Sequence, residues 1–265
     1  MYETHYHRAA SVADAVKLLK KSQDPKILAG GMTLIPTMKQ RLASPSDLVD
    51  IGRIADLSGI KVSGKTVTIG AATTHYDVAN NEKLAKACPA LCALASHIGD
   101  PHVRYRGTIG GSIANNDPAA DYPSAMLALG ADIITDKRTI PADKFFKGLF
   151  ETTLKDGEVI TAICFTAPTK AAYSKFPNPA SRYAMAGVFV AKDKAGVRVA
   201  VTGAGDGGVF RHKGLEAALD KKFDAASVDA VIVDAKGLLS DMHATAVYRA
   251  ALIKVMAKRA VAAAG

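Results

Sequence analysis

Two glycine pairs, Gly30-Gly31 and Gly110-Gly111, constrain this chain more than any other feature: each follows an apolar run and precedes a small hydroxyl residue. The first reads Lys26-Ile27-Leu28-Ala29-Gly30-Gly31-Met32-Thr33-Leu34, and the second reads Gly107-Thr108-Ile109-Gly110-Gly111-Ser112-Ile113. Without a Cβ, glycine admits positive φ and lets a phosphate oxygen approach the backbone, so that successive NH groups can converge on it. One such pair says little. Two with the same local grammar point to a ligand with two adjacent phosphates, the chemistry of a dinucleotide.

At 265 residues the chain has room for two domains or one large one and can bury a substantial core. A hydrophobic share of 49% against 22% charged residues is that of an ordinary globular protein and excludes a disordered chain. The start, Met1-Tyr2-Glu3-Thr4-His5-Tyr6-His7, lacks a basic segment followed by an apolar stretch, and no apolar run approaches the roughly twenty residues that span a bilayer. A cytoplasmic, non-spanning protein is expected. The net charge of +9 raises the question of nucleic acid, but the basic residues are dispersed. The nearest cluster, His102-Val103-Arg104-Tyr105-Arg106, directly precedes the second glycine pair, so no nucleic-acid partner is expected. A basic surface suits an acidic partner subunit or an anionic cofactor better.

Three cysteines, Cys88, Cys92 and Cys164, argue against a disulfide framework and read as buried, reduced thiols. His5, His7, His75, His97, His102, His212 and His243 form no ligand motif, and no metal site is expected.

The chain reads as α+β. Ser11 caps a helix with Asp14 at its third position, Ile27 to Ala29 form a short buried strand, and Thr33 caps a helix through Leu34, Met38 and Leu42. Leu48 to Ile51 is a strand, and residues 61–69 alternate as a hairpin with a Ser63-Gly64 turn. Helices follow from Thr74 and from Glu82 to Ile98 with a restart at Pro89, then Pro123 to Leu129; strands cover Asp132 to Thr135 and Val159 to Phe165. Gly187–Ala191 and Val197–Val201 suggest a hairpin about Lys194-Ala195-Gly196, after a connection marked by Pro177 and Pro179. From Leu215 the pattern is helical, the last helix running from about Ala244 to Ala262 with Val247, Leu252, Val255, Met256 and Val261 inward. A domain boundary is expected near Ala172.

A rival motif, Gly203-Ala204-Gly205-Asp206-Gly207-Gly208, spells GxGxxG. That fingerprint works between the first strand and first helix of a parallel βαβ unit. Here the preceding strand is read as an arm of an antiparallel hairpin, Val209-Phe210-Arg211-His212 is a poor helix start, and Asp206 would repel a pyrophosphate. The motif reads as a structural turn.

The string LAGGMTLIPTMKQRLASPSDLVDI and the later IGDPHVRYRGTIGGSIANNDPAADYPSAMLALGADI resemble the FAD-binding medium subunit of the molybdenum hydroxylases, most closely the carbon monoxide dehydrogenase type. The tail from Asp241 to Arg249 resembles that family's C-terminal domain, so the likeness covers nearly the whole chain. It implies a two-lobed FAD-binding domain of the vanillyl-alcohol-oxidase (PCMH) type over residues 1–172, with lobes of about 1–57 and 58–172, and a smaller C-terminal α+β domain over 173–265.

The same likeness implies that Ala29, Gly30, Gly31, Met32 and Thr33, with Thr108, Ile109, Gly110, Gly111 and Ser112, hold the FAD pyrophosphate and neighbouring ribityl atoms. Asp121 matches the acidic position that hydrogen-bonds the sugar-alcohol portion, although it also stands where it could cap a helix. Tyr183 matches an aromatic position beside the isoalloxazine ring, against a plain packing role. Lys175 would place positive charge near the pyrimidine end, unless it is a solvated surface lysine, and Ile160 would line the adenine side.

Met32 stands where many relatives carry a polar residue, and it offers no histidine anchor, so noncovalent FAD is expected. No cysteine-rich insertion for an extra iron–sulfur cluster is present. By resemblance this chain handles electrons. A molybdopterin large subunit and a small subunit with 2Fe–2S clusters, assembled as a dimer of heterotrimers, would feed the flavin, which passes electrons to a quinone or NAD; the complex could also sit peripherally at the inner membrane. No catalytic side chain is nominated. The alternatives are a stand-alone flavin oxidoreductase of the same fold and a flavin-free assembly subunit.

Overall fold

In the computed structural model, which describes residues 1–265, Ser11 starts the helix Val12–Lys21 as its hydroxyl suggests. Its Oγ accepts from Asp14 N at 3.1 Å, and the Asp14 carboxylate reaches back to Ala10 N at 3.0 Å. That helix connects two strands of a three-stranded parallel sheet, His5–Arg8 and Pro25–Leu28, between which lies Asp47–Asp50. The edge strand His5–Arg8 is invisible to apolar patterning, because its residues are polar and largely exposed; Tyr6 and His7 hold it by side-chain bonds to Asp50 and Asp47.

The second lobe is a five-stranded antiparallel sheet in the order Ile60–Ser63, Thr66–Gly70, Ile160–Thr166, Asp132–Thr135, Thr139–Pro141. Its helices arise from local caps. Asn81 ends one helix and caps the next, accepting from Leu84 N at 2.9 Å, and Pro89 restarts the chain into Pro89–Ser96. Cys88 and Cys92 lie in this core, where burial pushes their thiols to about 12 and about 11. Cys164 is only half-buried, opposite Thr68 across the sheet.

Strands Lys170–Pro177, Ala184–Asp193, Gly196–Thr202 and Phe210–Arg211 form a third, meandering antiparallel sheet covered by the helices Lys213–Lys221 and Ala246–Ala263, with its own hydrophobic cluster. The strand containing Ala172 belongs wholly to this sheet and begins at Lys170. No helix is long and apolar enough to cross a membrane.

Three details differ from the sequence reading. Thr33 has helical φ and ψ and makes no side-chain cap, and its helix stops at Lys39, with Arg41 at φ 61° turning the chain away. The second glycine pair is not in a loop but in the first turn of the helix Ile109–Asn115. In the last helix Val247 and Val255 face outward, 72% and 42% exposed, while Ile253, Ala257 and Ala260 are inside with Leu252, Met256 and Val261. Alanine carries little hydrophobic signal, so the alanine-rich inner face was hidden by bulkier outward valines.

Ile253→Ala is therefore expected to cost about 2–5 kcal/mol in urea unfolding, whereas Val247→Ser changes stability by less than about 0.5 kcal/mol.

Candidate functional site

Strand Pro25–Leu28 runs out of the parallel sheet into the first glycine pair, where Gly31 takes φ +74°. The backbone NH groups of Gly30, Gly31, Met32, Thr33 and Leu34 have no acceptor within the chain. Five successive unspent donors form the concavity that suits an anion. Gly30 also has a packing duty: a Cβ there would meet Arg106 O at 2.0 Å and Gly107 Cα at 2.8 Å. The first lobe thus rests directly on the backbone that leads into the second glycine pair.

That second pair works differently. Thr108 Oγ1 caps its helix by accepting from Gly111 N at 3.1 Å, Gly110 N donates to Ala71 O at 2.9 Å, and Ile109 N donates to Thr73 O at 3.1 Å. These amides are spent inside the protein, so the expectation of two equivalent NH cradles does not hold. Gly110 is glycine because a Cβ would meet Ala71 O at 2.6 Å. The pair lets the helix seat tightly on residues 71–73 and brings Thr108, Gly110, Gly111 and Ser112 to the wall of the cavity.

The cavity measures about 920 Å³ and lies between the first glycine loop, the second lobe and the third sheet. Its size is that of a small-molecule site. All residues singled out from the sequence line it except Ile109 and Lys175. Ile109 is fully buried in the core of the second lobe.

Asp121 is buried on the wall and makes no helix cap. Its carboxylate accepts from the Tyr173 hydroxyl and from Lys175 Nζ at 3.1 Å. Burial pushes the Asp121 carboxyl above the usual carboxylate range, against the opposing pull of Lys175 and Tyr173. Lys175 is neither a surface lysine nor a cavity cation: its side chain is buried behind Asp121, with a second bond to His97 O at 2.9 Å. Tyr183 is not core packing either, being 39% exposed at the rim after a loop in which Asn178 Oδ1 accepts from Ala180 N. Ile160 lines the wall at a strand irregularity between Ile160 and Ala162.

Sequence reasoning missed several lining groups. Glu158 is held by a two-pronged bond from Arg138, at 2.8 and 2.9 Å, by Thr135 Oγ1 and by Lys155 N; Arg138 first, against the cost of burial, lowers its carboxyl to about 2. His75 is lowered to about 4, by burial and then by Arg104, and its Nδ1 has no partner. Gly203, the first glycine of the rival motif, also reaches the wall. A Cβ there would meet Ala184 O at 2.2 Å, and Gly203 N donates to Pro118 O at 2.8 Å. An antiparallel strand, Phe210–Arg211, follows this turn in place of a helix, so the GxGxxG spelling marks a domain joint.

Residues 2–167 match the family described as the FAD binding domain in molybdopterin dehydrogenase. The chain belongs to this family. Along nearly its full length it is 38% identical to the carbon monoxide dehydrogenase medium chain of Hydrogenophaga pseudoflava, covering 98% of this chain and 96% of that one. It is 35% identical to the nicotine 6-hydroxylase medium subunit of Paenarthrobacter nicotinovorans, with 98% and 96% covered. Among solved structures, a reconstituted CO dehydrogenase from Oligotropha carboxidovorans superposes with a TM-score of 0.91 at 34% identity, covering 99% of this chain and 98% of that chain. The family's α+β fold and its FAD-binding domain therefore belong to this chain, which is an oxidoreductase subunit of the molybdenum hydroxylase type.

Gly30→Ala is expected to force the two loops apart and abolish flavin retention, read from visible absorbance after gel filtration. Gly207→Ala, where a Cβ meets nothing within 4 Å, leaves it unchanged. Because the folded Glu158 carboxyl sits at about 2, below its ordinary 4.5, its stabilising contribution is full above pH 4.5 and is lost as pH falls toward 2. Glu158→Gln should flatten that part of the stability–pH curve in chemical denaturation.

Proposed function

We propose that this protein is the electron-transferring medium subunit of a carbon monoxide dehydrogenase-type complex, with FAD bound noncovalently between its two lobes and beside its C-terminal domain. The observation that carries the site is the run of five free amides from Gly30 to Leu34 at a cavity of dinucleotide size. These amides, with Ala29 and Thr33, would hold the pyrophosphate, and Thr108, Gly111 and Ser112 would close over it from the second lobe. Asp121, oriented by Tyr173 and Lys175, would accept from the sugar-alcohol hydroxyls; Ile160 would line the adenine side, and Tyr183 would cover the ring at the open rim. Met32 places a thioether at the loop, in keeping with a cofactor held without a covalent bond.

When bound, FAD supplies a centre that accepts electrons singly and delivers one or two. The chain's own task is binding and electrical tuning. Asp121, Glu158 and Asp241, three of the four carboxylates on the cavity wall, are each tied to a cation, Lys175, Arg138 and Arg249. The fourth, Asp117, has no cation partner and accepts from Ala119 N at 2.8 Å. The division at about 57 and 172 is proposed for the lobes and C-terminal domain. A small subunit with 2Fe–2S clusters and a large molybdopterin subunit are the proposed partners, a quinone or NAD the acceptor, and the cytoplasm the location. The nicotine hydroxylase relative indicates that likeness in this subunit crosses substrates, so carbon monoxide is proposed from the 38% identity and from the superposition on the reconstituted CO dehydrogenase.

Purified chain incubated with FAD is expected to retain a flavin spectrum, and affinity-tagged chain expressed in its own cell to bring down molybdopterin and iron–sulfur subunits. Colourless protein that takes up no added FAD would overturn the central reading. Flavin uptake without partner subunits would favour a stand-alone enzyme.

A further inference from the structure

Thr74 caps the helix His75–Asn80, its Oγ1 accepting from Asp77 N at 3.1 Å, and it also forms an isolated antiparallel bridge with Thr108. The next residue is pinned in turn, His75 N donating to Gly107 O at 2.9 Å. These bonds hold the His75 imidazole, 5% exposed, on the cavity wall where the second glycine segment begins. Gly107 has to be glycine to admit the ring: a Cβ there would meet His75 Nε2 at 2.6 Å and Cδ2 at 2.9 Å. The same Gly107 carries the contact with Gly30, so a single glycine separates the ring edge bearing Nε2 from the loop of free amides.

A buried imidazole without partners is costly. His75 Nδ1 is shielded from solvent and bonded to nothing, and the Tyr122 hydroxyl, on a ring 5.3 Å away, is an equally shielded donor without an acceptor. A proton on Nδ1 would strand another N–H in this layer, so the proton belongs on Nε2. Nε2 has no partner in the chain either, but unlike Nδ1 it is not shielded, and the space before this wall is the cavity. Burial, then the charge of Arg104, lowers the ring to about 4, so the donor is uncharged at neutral pH. Arg104 itself is turned away, donating to Ile98 O at 3.0 Å and to Gly99 O at 3.4 Å. The two cations on the wall are also engaged, Lys26 with Asp24 and Arg249 with Asp241. Holding an anion here therefore falls to uncharged donors.

We propose that His75 is a further binding residue for the cofactor: Nε2–H donates to a diphosphate oxygen from the second-lobe wall, across the joint at Gly107 from the free amides of residues 30–34. It gives the second lobe a ligand donor that its glycine pair cannot supply, because the amides of Ile109, Gly110 and Gly111 are spent inside the protein. This inference rests on the FAD reading above.

The test is FAD affinity of the full chain, with the phosphorus NMR signals of the bound diphosphate as a second readout. His75→Met fills the ring's space and removes the donor. It should weaken FAD binding about tenfold, the worth of one neutral hydrogen bond, and move a diphosphate signal. His75→Gln restores an N–H at similar reach and should recover most of both. A merely structural role would leave the phosphorus signals of the remaining bound FAD in place and would not separate Gln from Met. Unchanged affinity in His75→Met, unmoved phosphorus signals, or equal losses in the two variants would each overturn the proposal. Should both variants fail to fold, the unmodified chain decides, with nitrogen-labelled histidine: a shift of the His75 Nε2–H signal on adding FAD supports the proposal, and an unmoved signal overturns it. If the unmodified chain takes up no FAD, the functional reading falls first and the inference with it.

Discussion

The contact between Gly30 and the Arg106–Gly107 peptide is the constraint on which the rest of the site depends. The parallel-sheet lobe and the antiparallel lobe are built around separate hydrophobic clusters, and a backbone-to-backbone approach this close is open only to a residue without a side chain. A glycine here does more than permit an anion to come near. It sets the spacing of the two loops, and with it the width of the cavity between the free amides of residues 30–34 and the helix that begins at Ile109.

A second joint closes the cavity from the other side. Residues 117–121 run against the third sheet, where Thr202 Oγ1 donates to Pro118 O at 3.2 Å and to Ala120 O at 2.6 Å, and Gly203 N to Pro118 O. Tyr173 and Lys175 reach from the same sheet to Asp121. Removing Lys175 would leave a buried carboxylate with only a phenol as partner, a loss of the kind that costs about 3–5 kcal/mol for buried pairs. Three of the four carboxylates on the cavity wall are therefore already neutralised, each by a cation anchored in a different part of the fold: Asp121 by Lys175, Glu158 by Arg138, Asp241 by Arg249. This arrangement lets acidic groups accept from hydroxyls without presenting net repulsion to a diphosphate.

Much of this was legible in the sequence, and the exceptions have physical causes. The caps at Ser11 and Thr74 and the hairpin turn at Ser63-Gly64 could be read because a side chain bonding its own neighbourhood leaves a local signature. The edge strand His5–Arg8 could not, since its stability comes from pairing with residues more than forty positions away and from Asp47 and Asp50. The cavity residues nearest the glycine pairs were legible from spelling and family likeness. Glu158, His75 and Arg249 were not, because what makes them notable is burial and the state of their partners, and neither is encoded in spacing. Lys175 is the instructive case between these. It stands behind the cavity wall, and the ammonium points its charge into Asp121.

The two glycine pairs share a spelling and differ in physics. In the first, Gly31 at φ +74° turns the chain so that five amides lose their partners to one another and stay free. In the second, the same dipeptide continues a helix whose amides are already claimed by Thr108, Thr73 and Ala71, and its missing Cβ atoms serve close packing. One pair makes the cradle and the other brings the opposing wall within reach of it. A cavity built this way gains its anion affinity from one lobe and its closure from the other, so changes in the second pair act on the site through the position of the helix Ile109–Asn115. The asymmetry also accounts for the rival cluster at Gly203 to Gly208: there, as at Gly30 and Gly110, glycine serves a close backbone approach, while residues 30–34 leave five successive amides unspent beside the cavity.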